Sequence, residues 1–309
     1  LAPPLHYICG VKKQEEKMKT VLISFLAICA IGILAMSKNG PQLTKSEDVN
    51  ENTIKDVAGR TLNISNRNGS IYISGWDKDF IQYVFTKSTN YGLDELSKVT
   101  VEIDKNQKSI DISVKPKNNM VRVSVKMDLR VPMNLLLGSI TTTNGSIELS
   151  QSLGNTTLNT SNGKIIATDH RGSISAHSSN GRIELTNVSN SVTAKTSNGK
   201  IILSNIPAIT MARTSNGSIY AEVMQMKEDA VFASSNGSIT LVVNEDINAE
   251  IDAHTSNSKI VIDGLDVRVE TLSRSTFKGR IGRGGPTLSA RTSNGKIKME
   301  ALPHTGELF

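Results

Sequence analysis

"TSNGKI" stands at Thr160–Ile165, at Thr196–Ile201 and at Thr292–Ile297. Variants fill the space between: "SSNGRI" from Ser178, "TSNGSI" from Thr214, "SSNGSI" from Ser234 and "TSNSKI" from Thr255. Aligned on the glycine, the units fall at Gly145, Gly163, Gly181, Gly199 and Gly217, each 18 residues after the last. They continue at Gly237, Ser258, Gly279 and Gly295, at spacings of 20, 21, 21 and 16. Fainter marks at Gly154, Gly172 and Asn190 lie nine residues after Gly145, Gly163 and Gly181. A half-unit of nine residues used twice per turn of chain is the signature of a solenoid.

Each half is a turn followed by short alternation. After Asn198-Gly199, Ile201 and Leu203 share one face, while Lys200, Ile202 and Ser204 share the other. The same inward pair recurs as Ile165/Ala167, Ile174/Ala176, Ile183/Leu185, Val192/Ala194, Ile219/Ala221, Ile239/Leu241 and Ile260/Ile262. Period two over about five residues, bounded by turn residues, predicts a β-strand. A series of hairpins on Asn-Gly turns would not return the same residues to the same place every 18 positions, whereas stacked coils do. The reading therefore puts each Asn-Gly at a coil corner, with the glycine taking positive φ. Asn162, Asn180, Asn198, Asn216, Asn236, Asn257 and Asn294 are expected to stack as an amide ladder about 4.8 Å apart. The Thr and Ser residues at 160, 178, 196, 214, 234, 255 and 292 are expected to form a parallel hydroxyl stack.

Ahead of the array the pattern changes. "RTLNISNRNGSIYISGWD" (Arg60–Asp77) already carries the turn-and-strand unit, with Trp76 as a capping aromatic. From Phe80 to Val131 come longer alternating strands, among them Val99/Val101/Ile103, Ile110/Ile112/Val114 and Val121/Val123/Val125. The expected fold is all-β: a single-chain parallel β-solenoid with two-strand coils of about 18 residues, preceded by an antiparallel β meander. Residues 1–37 read as a leader, 38–55 as a linker, 56–135 as the N-terminal β region and cap, 136–301 as the repeats and 302–309 as a tail.

Composition agrees with a thin, stacked body. The 309 residues are 38% hydrophobic but only 4% aromatic, so the core must come from Ile, Val, Leu and Ala. The formal charge is +6. The leader holds four of the 35 basic and two of the 29 acidic residues, which leaves 31 against 27 in the rest. A mild balance without aromatic-flanked basic motifs argues against nucleic acid. Cys9 and Cys29 both precede the repeats, so the body has neither a disulfide framework nor a thiol nucleophile.

The apolar run Val21–Met36 follows Lys17 and Lys19 and has the length of a signal-peptide core, with Ala35-Met36-Ser37 as a cleavage site. Cleaved or retained as an anchor, it predicts that the residues after 37 lie outside the cytoplasm, secreted, periplasmic or at the cell surface, with membrane contact only through this segment.

The early "NGSIYISGWD" (Asn68–Asp77), the Val131-Pro132 close of the meander and the serial "TSNGKI" units together resemble the "putative adhesin" family of bacterial and archaeal surface proteins, the toast-rack-like β-strand repeats. The likeness spans residues 57–300. It implies an extracytoplasmic β-solenoid with cell-surface or envelope-stress roles and carries no catalytic residues over.

Chemistry is sparse. His6, His170, His177, His254 and His304 form no close metal pair such as HxH or HExxH, and read as exposed turn residues. Polysaccharide-cleaving β-helices need clustered carboxylates and sugar-stacking aromatics, while calcium-binding repeats need an Asp in every coil. Neither pattern is present, so no enzyme and no cofactor are expected. "LPHTG" (Leu302–Gly306) fits the LPxTG sortase pattern, but three residues follow it where a working signal has a hydrophobic stretch and a basic tail. It reads as a truncated signal or as chance.

The first outward position after each corner is Lys164, Arg182, Lys200, Ser218, Ser238, Lys259, Arg280 and then Lys296. Stacked cations should repel unless neighbours or ligands compensate them. The column is either a solvated face or a stripe for an anionic surface glycan or wall polymer. The expected function is non-enzymatic adhesion or scaffolding at the cell surface. The alternatives are an envelope-stress module acting through another envelope protein, and ice or crystal binding through the hydroxyl stack.

Overall fold

A computed structural model describes residues 45–118 and 120–302. The leader and the "PHTG" part of the sortase-like motif lie outside the described residues. The chain starts with β1 (Ser46–Ile54), β2 (Thr61–Ser65), β3 (Ile71–Trp76) and β4 (Ile81–Thr89). A one-turn helix, α1 (Leu93–Leu96), leads to β5 (Val99–Lys105), β6 (Ser109–Pro116) and β7 (Ser124–Pro132). The repeats open with β8 (Leu136–Thr141), β9 (Ile147–Leu153), β10 (Thr156–Thr160) and β11 (Ile165–Arg171). Next come β12 (Ile174–Ser178), β13 (Ile183–Val188), β14 (Ser191–Thr196) and β15 (Ile201–Ile206). They continue as β16 (Ala208–Arg213), β17 (Ile219–Val223), β18 (Ala230–Ala233), β19 (Ile239–Val243), β20 (Ala249–Thr255) and β21 (Ile260–Asp263). The last strands are β22 (Arg268–Leu272), β23 (Thr276–Ile281), β24 (Thr287–Thr292) and β25 (Ile297–Ala301). The segment read as a linker thus contributes β1, which pairs with β4 along its whole length.

Two ladders run the length of the body. One has the order β5–β6–β2–β8–β10–β12–β14–β16–β18–β24–β20–β23–β22. The other runs β1–β4–β7–β3–β9–β11–β13–β15–β17–β19–β25–β21. The coils are parallel, and only the caps β1, β4, β5, β22 and β23 pair antiparallel. This is the solenoid read from the repeat, but its coils are not stacked in chain order. At one end β6 and β7 pair in parallel with β2 and β3, so the meander supplies the outermost coil and the earliest unit lies inside it. At the other end β24 and β25 slot between the β18/β19 coil and the β20/β21 coil. The unit aligned on Gly279 is no coil at all: Gly279 sits in β23, antiparallel to β20 and β22.

The strand phase is the one read from the alternation. Ile165, Ile183, Ile201, Ile219, Ile239 and Ile297 are each at most 1% exposed and stack in one column. Ile260 and Ile262, in the terminal coil, are only partly buried because one side of β21 has no strand partner among the described residues. Each fully buried Ile or Leu contributes about 1.5–3 kcal/mol, so narrow columns suffice without bulky aromatics.

The corner explains the whole motif. The hydroxyls at 160, 178, 196, 214, 234, 292 and 255 do not bond one another. Thr196 Oγ1 donates to the Gly181 carbonyl of the previous coil (3.0 Å) and accepts from the Gly199 N–H of its own (3.2 Å). Ser178, Thr214 and Ser234 make the same bridge. With the stack buried and bonded internally, ice or crystal binding through it is excluded. The glycine is required for a different reason from the one expected. Of the Asn-Gly corners, only Gly69 has positive φ (117°). At Gly145, Gly163, Gly181, Gly199, Gly217, Gly237 and Gly295 a Cβ would collide with the backbone carbonyl of the glycine one coil away. Close approach of backbones, not handedness, selects glycine here. Positive φ belongs to the opposite corner, at Gly154 (135°) and Gly172 (126°) and at Gln151, Asp169, Asn187 and Asn205 (49–54°). Ser258 is tolerated in the terminal coil, where the corner is bonded differently: Ser256 N–H reaches Thr292 O instead of a serine carbonyl.

Candidate functional site: the asparagine ridge

The corner side of the solenoid is a ridge of stacked amides. Asn162 Nδ2 donates to Asn144 Oδ1 (2.6 Å), and the chain of bonds continues through Asn180, Asn198, Asn216 and Asn236, each at 2.7 Å. Asn294 then bonds Asn236 and Asn257 bonds Asn294, both at 2.7 Å, so the ladder follows spatial and not chain order. Asn144 in turn bonds Asn68 (2.7 Å) in the earliest unit, which extends the ladder beyond the seven asparagines expected. Every amide between the end members Asn68 and Asn257 spends one donor and one acceptor on its neighbours, which fixes its orientation and leaves the second N–H at the surface.

The column read as either a solvated face or an anion-binding stripe is altered in two ways. In space it runs Lys164, Arg182, Lys200, Ser218, Ser238, Lys296 and Lys259, and Arg280 is not in it, because Arg280 stands opposite Glu250 in the β20–β23 pair. Lys164 is paired with Glu148 on the neighbouring coil (2.9 Å), and Arg182 with Glu184 on its own strand (3.2 Å). Neighbouring carboxylates therefore answer the repulsion at those two positions. Lys200 is exposed and has no such partner among the described residues.

A second column, of one histidine and two cations, stands on the other flank of the same ridge. His177, Lys195 and Arg213 are in register on β12, β14 and β16, one residue before the buried hydroxyl of each corner. All three are exposed, and none forms an ion pair among the described residues. No aspartate or glutamate occurs in β10, β12, β14 or β16. Sequence reasoning passes over these residues when the repeat is aligned on the positions after the glycine. The signal is present all the same: the position five before the post-glycine residue reads Asn159, His177, Lys195, Arg213, Ala233, His254 and, in the late unit, Arg291. Arg291 is tied to Asp252.

His170 also differs from its reading as an exposed turn residue. It is 1% exposed, with Ser152 Oγ on Nδ1 (2.8 Å) and Gly154 O on Nε2 (2.8 Å). A carbonyl can only accept, so Nε2 carries the proton and Nδ1 accepts from Ser152. Its column continues as Ser152, His170 and Val188, which makes it a satisfied core residue. Burial pushes its pKa below the usual histidine value, against the backbone bonds at Gly154 and Ser173 that favour the charged form. The unfolded chain therefore takes up a proton that the fold resists. Stability should be full above about pH 6.5 and decline as pH falls through that value toward the depressed folded pKa. His170→Val, which copies the next coil, should flatten that part of a melting-temperature profile between pH 7 and 5. An unchanged slope would mean that His170 is not the group responsible.

Among the described residues no three His, Cys, Asp or Glu side chains converge on a metal position, and no helix is long and apolar enough to cross a membrane. No curated protein matches the chain. Solved structures resemble it at low similarity, among them the following three. A "putative adhesin" from Bacteroides fragilis is 14% identical, with 85% of this chain and 100% of that one covered and a TM-score of 0.45. A "putative cell adhesion protein" from Clostridium sporogenes is 11% identical over 84% and 100%, with a TM-score of 0.30. A "putative adhesin" from Parabacteroides merdae is 9% identical over 83% and 96%, with a TM-score of 0.33. The family model described as Toastrack DUF4097 matches residues 42–300, nearly the whole of both ladders, and the chain belongs to that family.

Proposed function

We propose that the protein is a non-enzymatic adhesion module outside the cytoplasm, and that its asparagine ridge holds an anionic polymer such as an acidic surface glycan or wall polymer. The observation that carries this reading is the pair of cationic flanks. Lys195 and Arg213 lie on one side of the amide ladder and Lys200 on the other, without carboxylate partners among the described residues. Adjacent coils are about 4.8 Å apart, so a polymer laid along the ridge meets a cation or a free amide N–H at every coil. The leader supports the location, since the Val21–Met36 run follows two lysines in the manner of an export signal.

The test is retention of the protein on a polygalacturonate surface. The triple variant Lys195→Ser, Arg213→Ser, Lys200→Ser should lose most binding at low salt without a lower melting temperature, since all three side chains point to solvent. Parental binding should weaken as salt rises, because exposed charges are screened beyond about 8 Å at physiological ionic strength. Lys164→Ser with Arg182→Ser should cost less, because these cations already answer Glu148 and Glu184. Equal retention of parent and triple variant would end the proposal and leave the ridge as a solvated edge.

A further inference from the structure

The two ends of the solenoid are finished differently. At the first end the outer strands are β1 and β5, and β1 exposes Glu47, Asp48 and Glu51, the kind of charged edge that resists strand addition. At the other end the two ladders are unequal. One continues past its last coil strand, β20, by two strands, β23 and β22. Among the described residues the facing ladder stops at β21, which pairs there only with β25. The step so formed is apolar: Val269 is 51% and Leu272 71% exposed, and a cleft of about 240 Å³ opens between them and Ile260, Ile262 and Phe277.

We infer that this end is a symmetric dimer interface, and that the occupant of the step is the overhang of a second copy of this chain. Rotation by 180° about an axis along the strands sets the second copy's two-strand overhang into the first copy's step, and the reverse. Strand direction agrees. β22 runs with β20, and β21 returns along the opposite face, so β22 of the second copy meets β21 in the antiparallel sense. Charge agrees as well. With exposed Asp263 set opposite Arg268 of the second copy, Ile262 falls beside its Val269, and Lys259 lies diagonal to its Glu270. The inner faces carrying Leu272 and Phe277 then cover one another. The same interface patch is used by both copies, so assembly closes at two. An axis along the strands also leaves both asparagine ridges on one side and in line. This inference stands on the step and its charges, independently of what the ridge binds.

Sedimentation of the full chain tests it. The parent should be a dimer that dissociates on dilution, and Leu272→Lys should raise the dissociation constant by about tenfold or more with no fall in melting temperature at dilutions where the parent too is a monomer, because the side chain is exposed in the single chain. Asp263→Arg and Arg268→Asp should each weaken the dimer, and the double variant should restore it. A monomeric parent at high concentration would overturn the inference. So would a dimer indifferent to Leu272→Lys, which would place the association elsewhere, the leader included. Failure of the double charge exchange to restore pairing would overturn the register and with it the interface.

Discussion

Gly199→Val is expected to be among the most damaging single substitutions in the chain, although Gly199 has an ordinary backbone conformation. Its Cβ would occupy the space of the Gly181 carbonyl, and that carbonyl is already the acceptor for Thr196 Oγ1. The clash is with backbone, which cannot swing aside as a side chain would. Relief requires the two coils to separate, which breaks the Thr196 bridge and lengthens the Asn198–Asn180 bond (2.7 Å). The cost should exceed about 4 kcal/mol, beyond the range of ordinary overpacking. Gly59→Val is the control: its φ is +73° but a Cβ there meets nothing within 4 Å, so only local strain of about 1–3 kcal/mol applies. Thermal melting of the two variants separates the mechanisms. If Gly199→Val melts with the parent, the coils do not approach as closely as described.

Ile201→Asp should open the solenoid in its middle. Ile201 is fully buried, with Ile183 in register on one side and Ile219 on the other. The substitution removes the isoleucine and leaves a carboxyl without a partner in an apolar column, a loss of at least about 4 kcal/mol. Each coil touches only its neighbours, so the damage should be local and appear as new protease cleavage around β13 to β17. Ile202→Asp, one residue along and on the outward face, should resist protease like the parent. Equal resistance of both variants would invert the strand phase.

The strand phase and the amide ladder were legible because both are periodic, and periodicity is what a repeat displays. Ile201 and Leu203 point inward for the reason given by their alternation, and Asn198 stacks because an identical residue returns 18 positions away. Coil order was not legible, for the same reason. The unit at Thr292 is identical to that at Thr196, and nothing in six shared residues says which coil lies beside which. Its insertion ahead of the Thr255 unit goes with the β22–β23 hairpin, whose Gly279 mimicked a corner at a plausible spacing. The glycine requirement was read from the residue type, which fits positive φ and close approach equally; only the position of the neighbouring coil distinguishes them. His170 was missed because one buried polar residue in an otherwise apolar column carries no periodic mark, and its partners Ser152 and Gly154 are supplied by the coil before it. Lys195 and Arg213 were overlooked since they precede the motif and lie across the corner from the residues after it.

If the corner ridge, with its two cationic flanks, is where the protein meets an anionic polymer, hydrogen exchange with and without polygalacturonate shows it most directly, because exchange reports position as well as binding. Slowed exchange should be confined to the corners around Asn180, Asn198 and Asn216 and the adjoining Lys195, Lys200 and Arg213. The opposite corner offers an internal comparison, as its own ladder of Asp169, Asn187 and Asn205 is bonded in the same way but includes a carboxylate and has the single cation Arg171, bonded to the Met133 carbonyl, beside it. Protection at the Asn198 side alone is the expected result. Protection at Asp169, Asn187 and Asn205, or none at either corner under conditions where the protein is retained, would show that the ridge is not the binding surface.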